Sequence, residues 1–318
     1  MISPAPAQHL GIDLGVTNVK WAVVEEREGE WATLDHGQTA TLAADGPDAV
    51  VGRVIDVGRA AIARYPAIAS IGIGVPGLYD PLAGTTTFLV NMPGEWLDRP
   101  LRAPVEAALG LPAALINDAR AFGLAELRLG AGRGVQSLIG LTLGTGVGGF
   151  IAVEGHVYLG HDGTAGELGH QTIDPDGPPC NCGNRGCVEA FARADRIALA
   201  CGTETAGAAV AAAERGDERA IAGLAEIGRY LGIGVANAVA VISPDRVVIG
   251  GGIAAAGDLI LEPIRAELRE RVKTTPLEAV EVVRAELGTW AGAIGAAVHG
   301  AEEAERRRVA SGPPEAVR

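Results

Sequence analysis

At 318 residues the chain is long enough for two domains, each with its own core. Hydrophobic residues make up 48% and aromatic residues only 4%, so those cores are built from Ala, Val, Ile and Leu, as in the buried strands of α/β proteins. The net charge of −13, with Arg306–Arg308 as the one basic block, argues against a nucleic-acid partner, and no apolar run reaches the roughly 18 uninterrupted residues of a membrane span.

The opening MISPAPAQHL lacks the basic region and apolar core of a secretory signal, so a cytoplasmic location without a membrane partner is expected. His9–Val24 reads as an apolar strand, a Gly/Thr turn and a second strand of β-branched residues, a β-hairpin with a glycine loop at its tip. Pro47–Tyr65 has helical apolar spacing. Ala69–Val75 is a buried strand ending at Pro76-Gly77, Ala113–Ile116 is a short strand, and a helix over Asp118–Leu129 follows it directly. Leu138–Val153 repeats the hairpin pattern of His9–Val24 when Gly144 is aligned with Gly15, which suggests a duplicated domain with the two loops facing across a cleft. Leu224–Val241 is a long apolar helix broken by glycines. Arg246–Ile249 is a strand, and Gly250-Gly251-Gly252 leads into a helix through Val272. Trp290–His299 is a helix of small residues suited to close packing, and Glu302–Arg318 is charged, then Gly/Pro-rich, its end over 310–318 reading as a disordered tail.

The densest chemical signal is Gly166–Glu189, GELGHQTIDPDGPPCNCGNRGCVE. Cys180, Cys182 and Cys187 fall within eight residues, with His170 ten residues upstream. That spacing suits tetrahedral Zn²⁺, and Gly183 and Gly186 let the loop turn tightly enough to gather the sulfurs. The alternatives are a disulfide or three buried free thiols, with Cys201 open as either a fourth ligand in place of His170 or a buried bystander. Glu167 and Glu189 are too few and too far apart for a second metal site and read as substrate contacts held in place by the metal.

Asp13, Gly15, Thr17 and Asn18 form one glycine loop, and Gly144, Thr145, Gly146, Gly148 and Gly149 a second. Backbone N–H groups in such loops cradle phosphate, although hairpin turns need glycine on their own account. With the triple glycine at 250–252 they point to a nucleotide, and since neither Lys20 nor Lys273 sits in a Walker loop, backbone N–H groups and a metal ion must hold it. Asn117-Asp118 stands between a buried strand and a helix, where Asp118 is either a general base or a helix cap.

These motifs together resemble the ROK (repressor, open reading frame, kinase) family of sugar kinases, from Leu10 to about His299. The likeness is carried by GIDLGVTN at 11–18, IGIGVPG at 71–77, NMPG at 91–94, LINDA at 115–119, LTLGTGVGG at 141–149, the GELGH and CNCGNRGCVE signature at 166–189, and VVIGGGI at 247–253. The resemblance implies an actin-like, hexokinase-like ATPase fold of two α/β domains with an interdomain cleft. The smaller domain would span 1–116, completed by a C-terminal helix at about 290–309, and the larger 117–289 with the zinc loop. It further implies ATP-dependent phosphorylation of a hexose, glucose by default, in glycolysis. Asp118 would be the base, and Gly77, Asn91, Asn117, Asp118, Glu167, His170 and Glu189 would bind the sugar. ATP and Mg²⁺ would meet Asp13, Gly15, Thr17, Asn18, Gly144, Thr145 and Gly146, with Gly251 and Gly252 against the adenosine. His170, Cys180, Cys182 and Cys187 would hold a structural Zn²⁺, with the other ring nitrogen of His170 on the sugar. The family also suggests a homodimer or homotetramer.

Five positions depart from the family pattern: Val16, Arg120, Phe122, Gly123 and Trp290. Val16 replaces the second glycine of DxGGT, which costs about 1–3 kcal/mol if that position needs a positive φ. Arg120 replaces the second asparagine of NDANAA, and Trp290 stands near the expected ATP site where an acidic or small residue is common. A sugar-binding sensor with weak or no kinase activity is therefore the alternative, as are kinases for N-acetylglucosamine, N-acetylmannosamine, mannose or fructose. The winged helix of the family's repressors and a basic surface are both missing, which disfavours a DNA-binding repressor.

Overall fold

The computed structural model describes residues 6–89 and 91–311; of the tail read as disordered, 312–318 lie outside the described residues. The chain forms two compact units: unit 1 is the N-terminal part up to Ala125 together with the segment from Trp290, and unit 2 is Glu126–Thr289.

Unit 1 opens with β1 (Ala7–Leu14), β2 (Asn18–Arg27) and β3 (Glu30–Ala40), followed by α1 (Pro47–Arg64) and β4 (Ile68–Val75). Next come β5 (Gly77–Asp80), β6 (Thr85–Leu89) and β7 (Arg99–Pro100), a small sheet of their own, then α2 (Arg102–Leu109) and β8 (Ala113–Asn117). Helix α3 (Asp118–Arg128) begins at the residue after β8. Unit 2 carries β9 (Leu138–Leu143), β10 (Val147–Val153), β11 (His156–Val157), and the helices α4 (Val188–Ala192), α5 (Ala194–Cys201), α6 (Ala206–Glu214) and α7 (Glu218–Ile242). It ends with β12 (Arg246–Gly251), α8 (Asp258–Arg271) and β13 (Glu281–Arg284), after which α9 (Ala291–Ala310) belongs to unit 1.

Each unit holds a five-stranded sheet of the same design. The orders are β3-β2-β1-β4-β8 and β11-β10-β9-β12-β13. In both, the central strand pairs antiparallel with its hairpin mate and parallel with the strand on its other side. The hairpins turn through Gly15–Thr17 and Gly144–Gly146, so the repeat visible in the sequence is a repeat of topology.

Alternation along β1 decides how unit 1 is layered. Leu10, Ile12 and Leu14 are fully buried in a core shared with Val50 and Val54 of α1 and Ile71 and Ile73 of β4. The opposite face carries Gly11, paired in register with Gly72 of β4. A Cβ on Gly11 would lie 1.8 Å from the Ala293 carbonyl oxygen, and one on Gly72 would lie 1.6 Å from that of Ala296. The paired glycines thus form a saddle on which α9 lies backbone to backbone, as its small residues anticipate. Gly295 makes the same approach to the Ala121 carbonyl of α3, at 1.7 Å from its missing Cβ. Gly292 brings the start of α9 against the Asp13 carboxylate.

Unit 2 is organised on α7, whose Leu224, Ile227, Leu231, Val235 and Val239 bury against α8 and the sheet. The glycines expected to break this helix do not; it runs unbroken for 25 residues from an Asp217 cap that accepts the Ala220 N–H at 2.9 Å. Gly228 lies against Pro263 and the Ile260 carbonyl, and Gly232 against Glu267 and Ile264, so both serve helix packing. Although α7 is long and apolar enough to cross a membrane by composition alone, half of its apolar window is buried in the protein. The helix expected to run from the triple glycine, by contrast, is divided: a 3₁₀ segment covers Gly252–Ala256, and α8 starts after Gly257 at φ 59°.

Two predictions follow from this packing. Gly72→Ala should destabilise the protein by more than about 3 kcal/mol, because backbone must move to admit the methyl. Gly52→Ala, where a Cβ meets nothing within 4 Å, should be neutral or stabilising, and thermal melts of both variants check the contrast. The second prediction concerns pH. His299 is buried with its Nε2–H donated to the Leu115 carbonyl at 3.0 Å, and burial holds its pKa below the ordinary value. His9, against Ser70 Oγ at 2.8 Å, is lowered for the same reason. Unfolded imidazoles bind protons near pH 6.5 that the folded ones refuse, so stability should fall as pH drops through about 6.5. His299→Gln should lose less stability than wild type between pH 7.5 and 5.5.

Candidate active site and metal centre

In unit 1 the first glycine loop is braced from below. Thr41, fully buried, donates its hydroxyl to the Gly15 carbonyl at 2.6 Å, and its N–H reaches the Thr17 carbonyl at 2.9 Å. With two carbonyls turned inward, the loop suits an anion better than a cation. Val16 is not strained there: the described non-glycine residues with positive φ are Glu28, Leu42, Asn91, Asp98, Glu154 and Ser243. The turn has thus taken a form that admits valine, and Val16 stands partly exposed. Asp13 lies at the end of β1, opposite Lys20 in the hairpin register. Burial pushes its carboxyl above the ordinary range, against the pull of Lys20, and a cation beside it would favour the ionised form. Trp290 stacks on His36 with ring centroids 4.3 Å apart.

The passage from β8 to α3 settles the helix-cap question. Asn117 Oδ1 accepts the Ala119 N–H at 3.0 Å and the Arg120 N–H at 3.3 Å, so the cap belongs to Asn117. Asp118 opens the first turn of the helix, where the helix dipole favours a carboxylate, and its Oδ1 accepts the Ala119 N–H at 2.8 Å. Asn117 Nδ2 donates to the Gly77 carbonyl at 3.0 Å. Gly77 tolerates no other residue, with φ 126° and a virtual Cβ 2.2 Å from the Phe88 carbonyl oxygen. Asn91, exposed, adopts φ 59°, a left-handed conformation that asparagine accepts more readily than most residues. Unit 1 thus gathers Gly77, Asn117 and Asp118 at one strand end.

In unit 2, ligand atoms of His170, Cys180, Cys182 and Cys187 all lie within 4.8 Å of one another. Cys180 Sγ is 3.7 Å from His170 Nδ1, and Cys182 Sγ is 3.8 Å from Cys187 Sγ. A tetrahedron with arms near 2.3 Å has edges of about 3.8 Å, so these spacings fit a tetrahedral metal. No disulfide forms; all four cysteines are free thiols. Burial raises Cys180 to about 12 and also raises Cys187. Burial opposes ionisation of Cys182 as well, but hydrogen bonds from the Asn184 N–H and the neighbouring thiols outweigh it and lower that thiol. Such crowded sulfurs ionise together only around a cation. The loop closes through Cys180 N–H to the Asn184 carbonyl at 2.8 Å and Gly186 N–H to the Pro178 carbonyl at 2.8 Å. Gly186, at φ 64°, would place a Cβ 1.5 Å from the Asp174 carbonyl oxygen. Cys201 stands outside this cluster in α5, its thiol directed to the Ala220 carbonyl.

Both flanking acids touch the cluster. Glu167 Oε2 is 3.9 Å from His170 Nε2, the ring nitrogen turned away from Cys180. Glu189 Oε1 lies 3.7 Å from Cys180 Sγ, while its Oε2 accepts the Val147 N–H at 2.9 Å. Glu189 therefore joins the metal loop to the second glycine loop, where Thr145 is exposed and a Cβ on Gly144 would meet nothing. Gly251 serves structure first: at φ 83° its virtual Cβ lies 2.1 Å from the Leu143 carbonyl oxygen. Gly252 is exposed to open space. The sequence alone did not single out Thr41, which sits in no motif, nor the link from Glu189 to Val147.

The repeated sheet of a hairpin and two parallel strands, with these loops at its strand ends, defines the actin-like, hexokinase-like ATPase fold. The chain belongs to the ROK family, whose profile matches residues 9–302. It is 34% identical over 311 residues to a glucokinase of Thermotoga maritima, covering 91% of this chain and 95% of the relative. A ROK family glucokinase from Streptomyces griseus, solved in complex with glucose and AMPPNP, superposes with TM-score 0.78 at 30% identity, covering 93% of this chain and all of that one. A ROK family transcriptional regulator, a homologue of the E. coli MLC protein, superposes with TM-score 0.81 at 27% identity, covering 96% of this chain and 81% of the regulator.

The purified protein is expected to carry one tightly bound divalent metal per chain by elemental analysis. Cys187→Ser should remove it and lower the melting temperature; unchanged metal content would show that the cluster is not a metal centre.

Proposed function

We propose that the protein phosphorylates a hexose with ATP, converting glucose to glucose 6-phosphate as part of cytoplasmic carbohydrate metabolism. The observation that carries this reading is Asp118 at the first turn of α3, with Asn117 rather than Asp118 capping the helix. A sugar-binding sensor has no need of a carboxylate so placed. Strain at Val16, the ground for a sensor, is absent from the backbone. The likeness to glucokinases, including one solved with glucose and an ATP analogue, supports the substrate assignment.

In this reading Asp118 accepts the proton of the attacking sugar hydroxyl as that oxygen displaces ADP from the γ-phosphorus. Asn91, Asn117, Glu167, His170 and Glu189 hydrogen-bond the remaining hydroxyls, and Gly77 leaves room for the ring. His170 uses Nδ1 toward the metal and keeps Nε2 for the sugar, which matches the side each nitrogen faces. His170, Cys180, Cys182 and Cys187 would hold Zn²⁺ in a structural role, which would orient His170 and steady Cys180 beside Glu189. The N–H groups of the Gly15–Thr17 and Gly144–Gly146 loops, with Asn18 and the Thr145 hydroxyl, receive the phosphates. Gly251 and Gly252 lie against the adenosine. Asp13 would hold Mg²⁺, which would supply charge neutralisation for the β- and γ-phosphates. Most of the acceleration comes from alignment and charge stabilisation. A homodimer or homotetramer is the proposed assembly.

Asp118→Asn tests the reading. It should lower kcat by about 10²–10⁴-fold, the range of general-base catalysis, while glucose binds with nearly unchanged Kd by calorimetry. Turnover equal to wild type would remove Asp118 as the base.

A further inference from the structure

Arg120 is the largest fully enclosed side chain described, 2% exposed on the first turn of α3. A guanidinium keeps its charge in proteins, and burying it without acceptors is costly, so its partners define its purpose. One partner is Asn117 Oδ1, which Arg120 Nη1 reaches at 2.8 Å. The same oxygen accepts the N–H groups of Ala119 and Arg120, and Asn117 Nδ2 donates to the Gly77 carbonyl. An amide whose oxygen meets three donors and whose nitrogen meets a carbonyl has only one acceptable orientation. Turning it over would set its NH₂ against three N–H donors and its oxygen against a carbonyl.

We propose that Arg120 is a positioning residue that locks the Asn117 amide from within the core, so that the second Nδ2–H is offered to the hexose in one fixed orientation. This rests on the kinase reading for the identity of the ligand. The backbone N–H groups of α3 hold Oδ1 at 3.0 and 3.3 Å, both as neutral donors. A charged donor adds a stronger and more directional bond. A fixed donor discriminates among hexoses, because a sugar without an acceptor in its path leaves a polar group unpaired.

The test is a double-mutant cycle. Arg120→Met and Arg120→Lys are made in the wild-type and Asn117→Ala backgrounds, and glucose KM, ATP KM, kcat, calorimetric glucose Kd and melting temperature are measured. In the wild-type background Arg120→Met should raise glucose KM and Kd about tenfold, the worth of one oriented hydrogen bond, and leave ATP KM unchanged. Arg120→Lys, which keeps the charge and one donor, should recover part of that loss. In the Asn117→Ala background neither change should weaken glucose binding further, although both still lower the melting temperature. An equal loss of glucose affinity in both backgrounds overturns the proposal. If Arg120→Met does not fold, the Arg120→Lys cycle decides in the same way. Glucose binding that shows this coupling without turnover of any hexose would overturn the kinase reading and leave the positioning role standing.

Discussion

The strand β8 hands over to helix α3 without a single intervening residue, and the arrangement in unit 1 depends on that junction. A helix starting there needs a cap, and Asn117 provides it from the last position of the strand. The next residue, Asp118, is carried onto the first turn with its carboxylate at the positive end of the helix dipole. Asn117 in turn grips the Gly77 carbonyl, which ties β5 to the same point. A side chain that only capped the helix could be replaced at small cost; this one also fixes the backbone beside the proposed base. Behind it all, α9 lies in the saddle of Gly11 and Gly72 and packs through Gly295 against α3, so the junction rests on a helix nearly two hundred residues away in sequence.

Unit 2 has a comparable hub in Glu189. One carboxylate oxygen takes the Val147 N–H at the end of the second glycine loop, and the other faces Cys180 in the metal cluster. Local sequence gives these segments no reason to meet, and the cysteine loop is too short to hold its shape by burying apolar area. A tetrahedral ion in the cluster would supply what hydrophobic packing does not, by fixing the sulfurs and the imidazole at once. A metal held there would order the Glu167–His170 turn and the start of α4 together.

Much of this was legible in the sequence because it is carried by short, local patterns. The two glycine hairpins announce themselves through β-branched alternation around a Gly/Thr turn, and the topology repeats as they do. The Cys180, Cys182, Cys187 spacing with His170 upstream places four ligands where the structure gathers them. What was not legible depends on contacts between distant segments. Glycines in α7 look like breaks until Pro263 and Glu267 of α8 are seen occupying the space they leave. Val16 looks strained if judged by a family pattern, but the turn it sits in does not use a positive φ. Thr41 has no neighbours in sequence that mark it, since its partners at Gly15 and Thr17 lie in another hairpin turn. Arg120 could be noted as unusual, while its hydrogen bond to Asn117 Oδ1 appears only in the fold.

The most direct test of the account is ADP release by the wild-type protein with Mg-ATP, measured against glucose, mannose, fructose and the N-acetylhexosamines. Sugar-dependent ADP formation, equal in amount to the sugar phosphate produced and strongest with glucose, is the predicted result. A protein whose melting temperature rises with one of these sugars but which forms no ADP with any of them would contradict it.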